Sequence, residues 1–174
     1  MDPARLVFLD ESAAKTNLTR LRGRAPRGER LVASCPHGHW RTTTMISSIR
    51  LDGSTACMTI DGPTDTEVFH AYVREVLCPA LRPGDIVVMD NLSPHKHPTI
   101  LHLIAAAQAS VLFLPAYSPD LNPIEMMWSK IKALLRKAEA RTHPDLLSAI
   151  TGALRAITPQ DAINWFAHCG YSII

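Results

Sequence analysis

Two kinds of apolar pattern alternate along the chain, short runs that end in an acid and longer stretches with helical spacing. Arg5 to Asp10 and Asp85 to Asp90 each carry four apolar residues before the closing Asp, which predicts two short buried strands. Arg41 to Arg50 and Ser54 to Ile60 predict two more, joined at Leu51-Asp52-Gly53, because Asp-Gly is a strong hairpin signal. Val111 to Leu114 predicts a fifth. From Thr64, Val68, Phe69, Tyr72, Val73, Val76 and Leu77 recur every three or four residues, the period of a helix that Pro79 to Gly84 should break. Further helices are predicted over Pro98 to Ala109, Asn122 to Glu139, Pro144 to Ile157 and Pro159 to His168. The third-last of these puts Ile124, Met127, Trp128, Ile131, Leu134 and Leu135 on one face. Glu11 to Gly38 reads as an irregular excursion rich in Arg, Gly and Pro, and Pro115 to Pro123 as a loop. The order β-β-β-α-β-α-β-α-α-α predicts a single α/β domain with a mixed sheet, a meander first and crossover helices after it.

Composition narrows the class without naming a function. With 174 residues, 47% hydrophobic and 20% charged, the chain can build one sizeable core and is not a disordered polymer. No apolar run is long enough to span a bilayer, and the N-terminus lacks the form of a secretory signal. The four cysteines, Cys35, Cys57, Cys78 and Cys169, are scattered, which suggests reduced thiols and a cytoplasmic protein. A net charge of +2 is too small to identify a partner, so its distribution matters more.

The acids at the strand ends carry the first chemical signal. In open α/β sheets, groups at the carboxyl ends of strands face the crevice where ligands bind. Asp10 and Asp90 sit there, where a carboxylate is costly unless it is paired or binds metal; a turn-forming acid is the plainer alternative. Glu125 is the third. Asn122 and Pro123 suit an N-cap and first helical position, so Glu125 could close a capping box, or it could face Asp90. Three converging carboxylates call for a hard divalent cation such as Mg²⁺ or Mn²⁺. Two such ions about 4 Å apart serve in-line phosphoryl transfer.

Three ordered motifs are similar to those of a known family. Phe8-Leu9-Asp10-Glu11-Ser12, Val88-Met89-Asp90-Asn91-Leu92-Ser93-Pro94-His95-Lys96 and Leu114-Pro115-Ala116-Tyr117-Ser118-Pro119-Asp120-Leu121-Asn122-Pro123-Ile124-Glu125 resemble the catalytic motifs of Asp-Asp-Glu transposases of the mariner-like superfamily. Between Asp90 and Glu125 lie 34 residues, the spacing of the bacterial insertion-sequence branch, and Trp165 to Tyr171 resembles that branch's tail. The resemblance implies a ribonuclease-H-like fold with a five-stranded mixed sheet flanked by helices. It also implies that Asp10, Asp90 and Glu125 hold two Mg²⁺ ions, with Mn²⁺ as a substitute. The implied activity is cleavage of DNA at transposon ends and transfer of the 3′-hydroxyl into target DNA. The implied working complex is a homodimer, nucleoid-associated if the host is bacterial. Family members normally carry a helix-turn-helix DNA-binding region before the first Asp. Only nine residues precede Asp10, so residues 1–174 are expected to form the catalytic domain alone, as a fragment or the second frame of a split transposase.

The remaining polar residues divide into site support, DNA contact and plain structure. Arg20, Arg22, Arg24, Arg27 and Arg30 form a basic loop, and Lys130 and Lys132 follow Glu125 on its helix. All seven are candidate phosphate contacts, weighed against ordinary solvated charge. Asn91 and His95, near Asp90, are candidates for site support, weighed against turn chemistry and a local loop hydrogen bond. Glu11 should point to the opposite side of its strand, and Trp128 should pack in the core. Cys35, His37 and His39 lack the further ligand pair a zinc site needs. Two rivals remain beside the transposase reading: a structure-selective nuclease of the same fold, and a non-catalytic fragment that modulates a full-length protein.

Overall fold

The computed structural model describes residues 2–34 and 36–171; Cys35, one of the four scattered thiols, lies outside the described residues, as do Met1 and residues 172–174. Five strands, β1 (Leu6–Lys15), β2 (Thr42–Arg50), β3 (Thr55–Asp61), β4 (Ile86–Met89) and β5 (Ser110–Phe113), form one sheet in the order β3-β2-β1-β4-β5. β1 pairs antiparallel with β2 and parallel with β4, so the sheet is mixed, with the meander on one side and the crossover strands on the other. The hairpin between β2 and β3 turns at Gly53, whose φ of +81° suits glycine, while Asp52 Oδ1 accepts the Ser54 N–H at 2.9 Å.

Period-two alternation sorts the strand residues between two cores. Leu6, Phe8, Met45, Ile49 and Val88 face the helices α4 (Pro123–Ala138), α5 (His143–Arg155) and α6 (Pro159–His168). Val7, Leu9, Ile46, Val87 and Met89 face the opposite layer. That layer holds α1 (Thr66–Tyr72), a π-helical turn over Val73–Leu77, the short α2 (Cys78–Ala80) and α3 (Pro98–Ala106). The predicted face of α4 is the buried one, with Ile124, Met127, Trp128, Ile131 and Leu135 in the core. Trp128 is 2% exposed and is a packing residue.

Away from the carboxyl ends of the parallel strands, Arg50 and Asp85 form a buried ion pair. Arg50 also donates to Ala80 O at 2.9 Å, and Asp85 accepts the Arg82 N–H at 2.6 Å, tying β2 to the turn that enters β4.

β1 corrects the sequence reading. Asp10 does not close the strand, which runs on to Lys15, so the irregular excursion begins after Lys15 and not at Glu11. The cause is pairing: Glu11 to Lys15 lie opposite Ile46 to Thr42, and this ladder holds residues whose own composition does not favour a strand. Parallel pairing with β4 ends at Phe8 and Val88, so Asp10 still stands where the parallel part of the sheet stops.

Candidate active site

The register of the two central strands brings the first two acids together. β1 and β4 pair Phe8 with Val88, and Asp10 and Asp90 each lie two residues beyond that last pair, where the parallel part of the sheet stops. Alternation keeps Asp10 on the face of Phe8, which packs against the α4 side. Asn122 occupies the N-cap position of α4, Pro123 its first helical position, and Glu125 stands in the first turn. Asp10, Asp90 and Glu125 line one cleft of about 390 Å³, with Asn91, Asn122 and Tyr117 among its other walls.

Glu125 is not consumed by capping. No side chain caps the start of α4, and the Asn122 N–H donates to Pro119 O at 3.1 Å instead of to a glutamate. The capping box in this chain is at α6, where Thr158 and Asp161 exchange both bonds. The exposed Glu125 side chain is therefore available to the cleft.

Burial is the largest influence on Asp10 and pushes its carboxyl up to about 7, with the charges of Glu125, Asp90 and Glu11 adding to the rise. The Glu11 N–H, which donates to Asp10 Oδ1 at 2.7 Å, opposes it. Asp90 is more open, with 41% of its side chain exposed, and its Oδ1 accepts the Leu92 N–H at 3.1 Å.

His95 Nδ1 lies 2.6 Å from Asp90 Oδ1, although the ring N–H is not directed along that line, so the contact is one of charge and proximity. The ring is 3% exposed and stacks on Phe69 at 4.3 Å between centroids. Its Nε2 lies 3.8 Å from Glu11 Oε1. Burial alone would lower the imidazole's pKa; the Glu11 and Asp90 carboxylates outweigh it and raise it above the ordinary value. Glu11 thus points away from Asp10, as alternation predicts, and reaches the histidine instead.

The seven basic candidates separate. Arg20, Arg22, Arg24, Arg27 and Arg30 are all exposed on a segment without regular structure. Its base is held by Arg141, which donates to Leu18 O at 2.8 Å. Lys132 is half-buried on α4. Lys130 Nζ is paired with Asp161 Oδ2 at 2.5 Å, a contact that ties α4 to α6.

Two wall residues escaped the sequence reading. Asn122 reads as a cap, yet it is buried, lines the cleft and leaves Oδ1 without a hydrogen-bond partner. Tyr117 reads as a loop-shaping residue, yet it stands at the rim fully exposed. An aromatic inside a Pro-punctuated stretch between a strand and a helix was the available signal for Tyr117.

The donor set tests well against a hard cation. It is all carboxylate oxygen, and Asp10 bears the electrostatic cost that a cation would remove. Among the described residues, no three His, Cys, Asp or Glu side chains close tightly enough to hold an ion by themselves.

Comparison with known proteins agrees with this geometry. No curated protein sequence is significantly similar to the chain. Among solved structures, the Mos1 transposase paired-end complex with left transposon end matches with a TM-score of 0.75 at 18% identity, over 95% of this chain and 52% of that one. The Mos1 strand transfer complex matches with a TM-score of 0.71 at 16% identity, over 95% of this chain and 51% of that one. The Mos1 transposase catalytic domain with Raltegravir and Mg matches with a TM-score of 0.60 at 16% identity, over 94% of this chain and 77% of that one. The likeness is one of fold, the ribonuclease-H-like fold of that catalytic domain, and the chain spans about half the length of the transposase chains in the two complexes. The family described as DDE superfamily endonuclease matches residues 5–147, most of the sequence, and the chain belongs to that family.

Proposed function

We propose that residues 1–174 act as the single catalytic domain of a DNA transposase, cutting a strand at a transposon end and joining its 3′-hydroxyl to target DNA. One observation carries this reading: Asp10, Asp90 and Glu125, the acids of the three family-like motifs, line one cleft where the parallel strands end. Its support from outside is family membership and a fold shared with the Mos1 complexes.

The three carboxylates would hold two Mg²⁺ ions, with Mn²⁺ as a substitute. When bound, the ions supply activation of the attacking oxygen and stabilisation of the leaving one. The protein's part is to fix the geometry. β1 and the end of β4 would bring Asp10 and Asp90 to the cleft, the first turn of α4 would bring Glu125, and His95, with Asn91 as a further support, would limit the Asp90 carboxylate. Because the acids alone do not close around an ion, the DNA phosphate would complete the ligand set. Each step is an in-line displacement: one P–O bond forms as the opposite one breaks, with water as nucleophile in cleavage and the 3′-hydroxyl in joining. The same site serves both.

The exposed arginines of the loop would contact phosphates and position DNA without reading its sequence. Two transposon ends must be brought together, so the working complex is a homodimer on DNA. Among the described residues no helix is long and apolar enough to cross a membrane.

Incubation of a labelled oligonucleotide with supercoiled plasmid and Mn²⁺ separates this reading from a nuclease of the same fold. Covalent joining of the oligonucleotide's 3′ end to the plasmid supports the transposase; nicking without joining overturns it in favour of the nuclease.

A further inference from the structure

Tyr117 combines two features that a folded chain seldom tolerates together. Its side chain is 102% exposed, so the ring buries none of its apolar surface. Its φ is 57°, the left-handed region, which is an outlier for a bulky residue and strains the backbone. Neither feature serves the core. The loop that carries Tyr117 is tied down at both ends: Leu114 N–H donates to Met89 O at 2.9 Å, and the Tyr171 hydroxyl donates to Leu121 O at 2.9 Å. The ring stands at the rim of the acidic cleft, whose wall also carries Leu92, 57% exposed.

A flat, unpartnered aromatic on a loop tied at both ends is suited to one kind of occupant near a phosphate-binding site. Every nucleobase has a π-face, so stacking on an aromatic accepts any sequence, as an enzyme moving among many DNA contexts requires. A nucleotide whose phosphate meets Asp10, Asp90 and Glu125 carries its base outward to the rim of a cleft of about 390 Å³. We propose that Tyr117 is a stacking platform for an unpaired base of the cut strand, flanking the scissile phosphate, with Leu92 as a second apolar surface of the same subsite. This rests on the reading of the cleft as a DNA-cutting site and adds a substrate-holding residue to it. The base being unpaired implies that the duplex is opened locally before cleavage.

The test measures binding of a short single-stranded oligonucleotide containing 2-aminopurine, with Mn²⁺ present, by fluorescence of that base. Wild type and Tyr117→Phe should bind alike and quench the probe. Tyr117→Ala and Tyr117→Gly should both weaken binding by about 5- to 150-fold, the range lost when a stacking aromatic is truncated. Glycine accepts the left-handed backbone, so Tyr117→Gly should melt at or above wild type, which separates lost stacking from lost folding. Binding by Tyr117→Gly within twofold of wild type would overturn the proposal, and so would binding by Tyr117→Phe as weak as that of Tyr117→Ala. If wild type nicks plasmid and Asp90→Ala does not, either result removes the stacking role and leaves the DNA-cutting reading intact. If wild type binds no oligonucleotide, the stacking role falls, and the DNA-cutting reading is decided separately by whether wild type nicks plasmid and Asp90→Ala does not.

Discussion

His95 and Asp90 meet at 2.6 Å just past the carboxyl end of β4, and the far nitrogen of the same ring reaches to 3.8 Å from Glu11. Asp90 follows the last residue of β4, where strand pairing no longer constrains it. The buried ring, stacked on Phe69, and the Leu92 N–H are what limit its side chain. Groups that orient a metal-binding carboxylate are typically worth about 10–100-fold in metal affinity or activity. His95→Ala should therefore raise the Mn²⁺ concentration needed for half-maximal nicking by a factor in that range. His95→Gln should recover part of the loss. A His95→Ala protein whose metal dependence matches wild type would show that the ring only fills space beside Phe69.

Glu125→Gln distinguishes a ligand from a cap. The side chain makes no capping bond, so the substitution should leave stability within about 0.5 kcal/mol of wild type, below the usual cost of a lost helix cap. Nicking should disappear, because the amide keeps the shape and removes the charge. Urea denaturation and the plasmid assay on the same preparation check both halves. Full activity in Glu125→Gln would remove it from the metal-binding set.

Asp10 should be a stability liability in the metal-free protein. An unfolded Asp titrates near about 3.9, while burial, reinforced by Glu125 and Asp90, lifts the folded group to about 7. Below pH ~4 the group is protonated in both states and costs nothing. Between the two values the folded state holds a proton that the unfolded state has lost, and stability falls as pH rises, reaching its full loss above about 7. Asp10→Asn should therefore melt above wild type at pH 8, with the difference shrinking toward pH 4. Mg²⁺ should raise the melting temperature of wild type at pH 8 and leave Asp10→Asn almost unmoved. Identical pH profiles for the two proteins would show that burial and the neighbouring carboxylates do not penalise the ionised Asp10.

What the sequence made legible follows the range of the interactions involved. Helix faces such as Ile124, Met127 and Ile131 repeat locally, and the turn at Gly53 has its own signature, so both could be read from short windows. The extent of β1 could not, because Ser12 to Ala14 are held as a strand only by Met45 to Thr43 across the ladder. Lys130 resembled its basic neighbours until folding put Asp161 from another helix beside it. The contact of Glu11 with His95 likewise joins residues far apart in the chain. The acids themselves were readable because Asp10 and Asp90 each follow an apolar run, and those two runs are neighbouring parallel strands.

Nicking of supercoiled plasmid tests the central claim most directly, comparing wild type with Asp10→Ala, Asp90→Ala and Glu125→Ala in the presence of Mn²⁺ or Mg²⁺. The account predicts that wild type nicks only with a divalent cation and that each substitution abolishes nicking while the protein stays folded by circular dichroism. Equal nicking by wild type and Asp90→Ala would contradict it, since the three acids would then not form the site that cuts DNA.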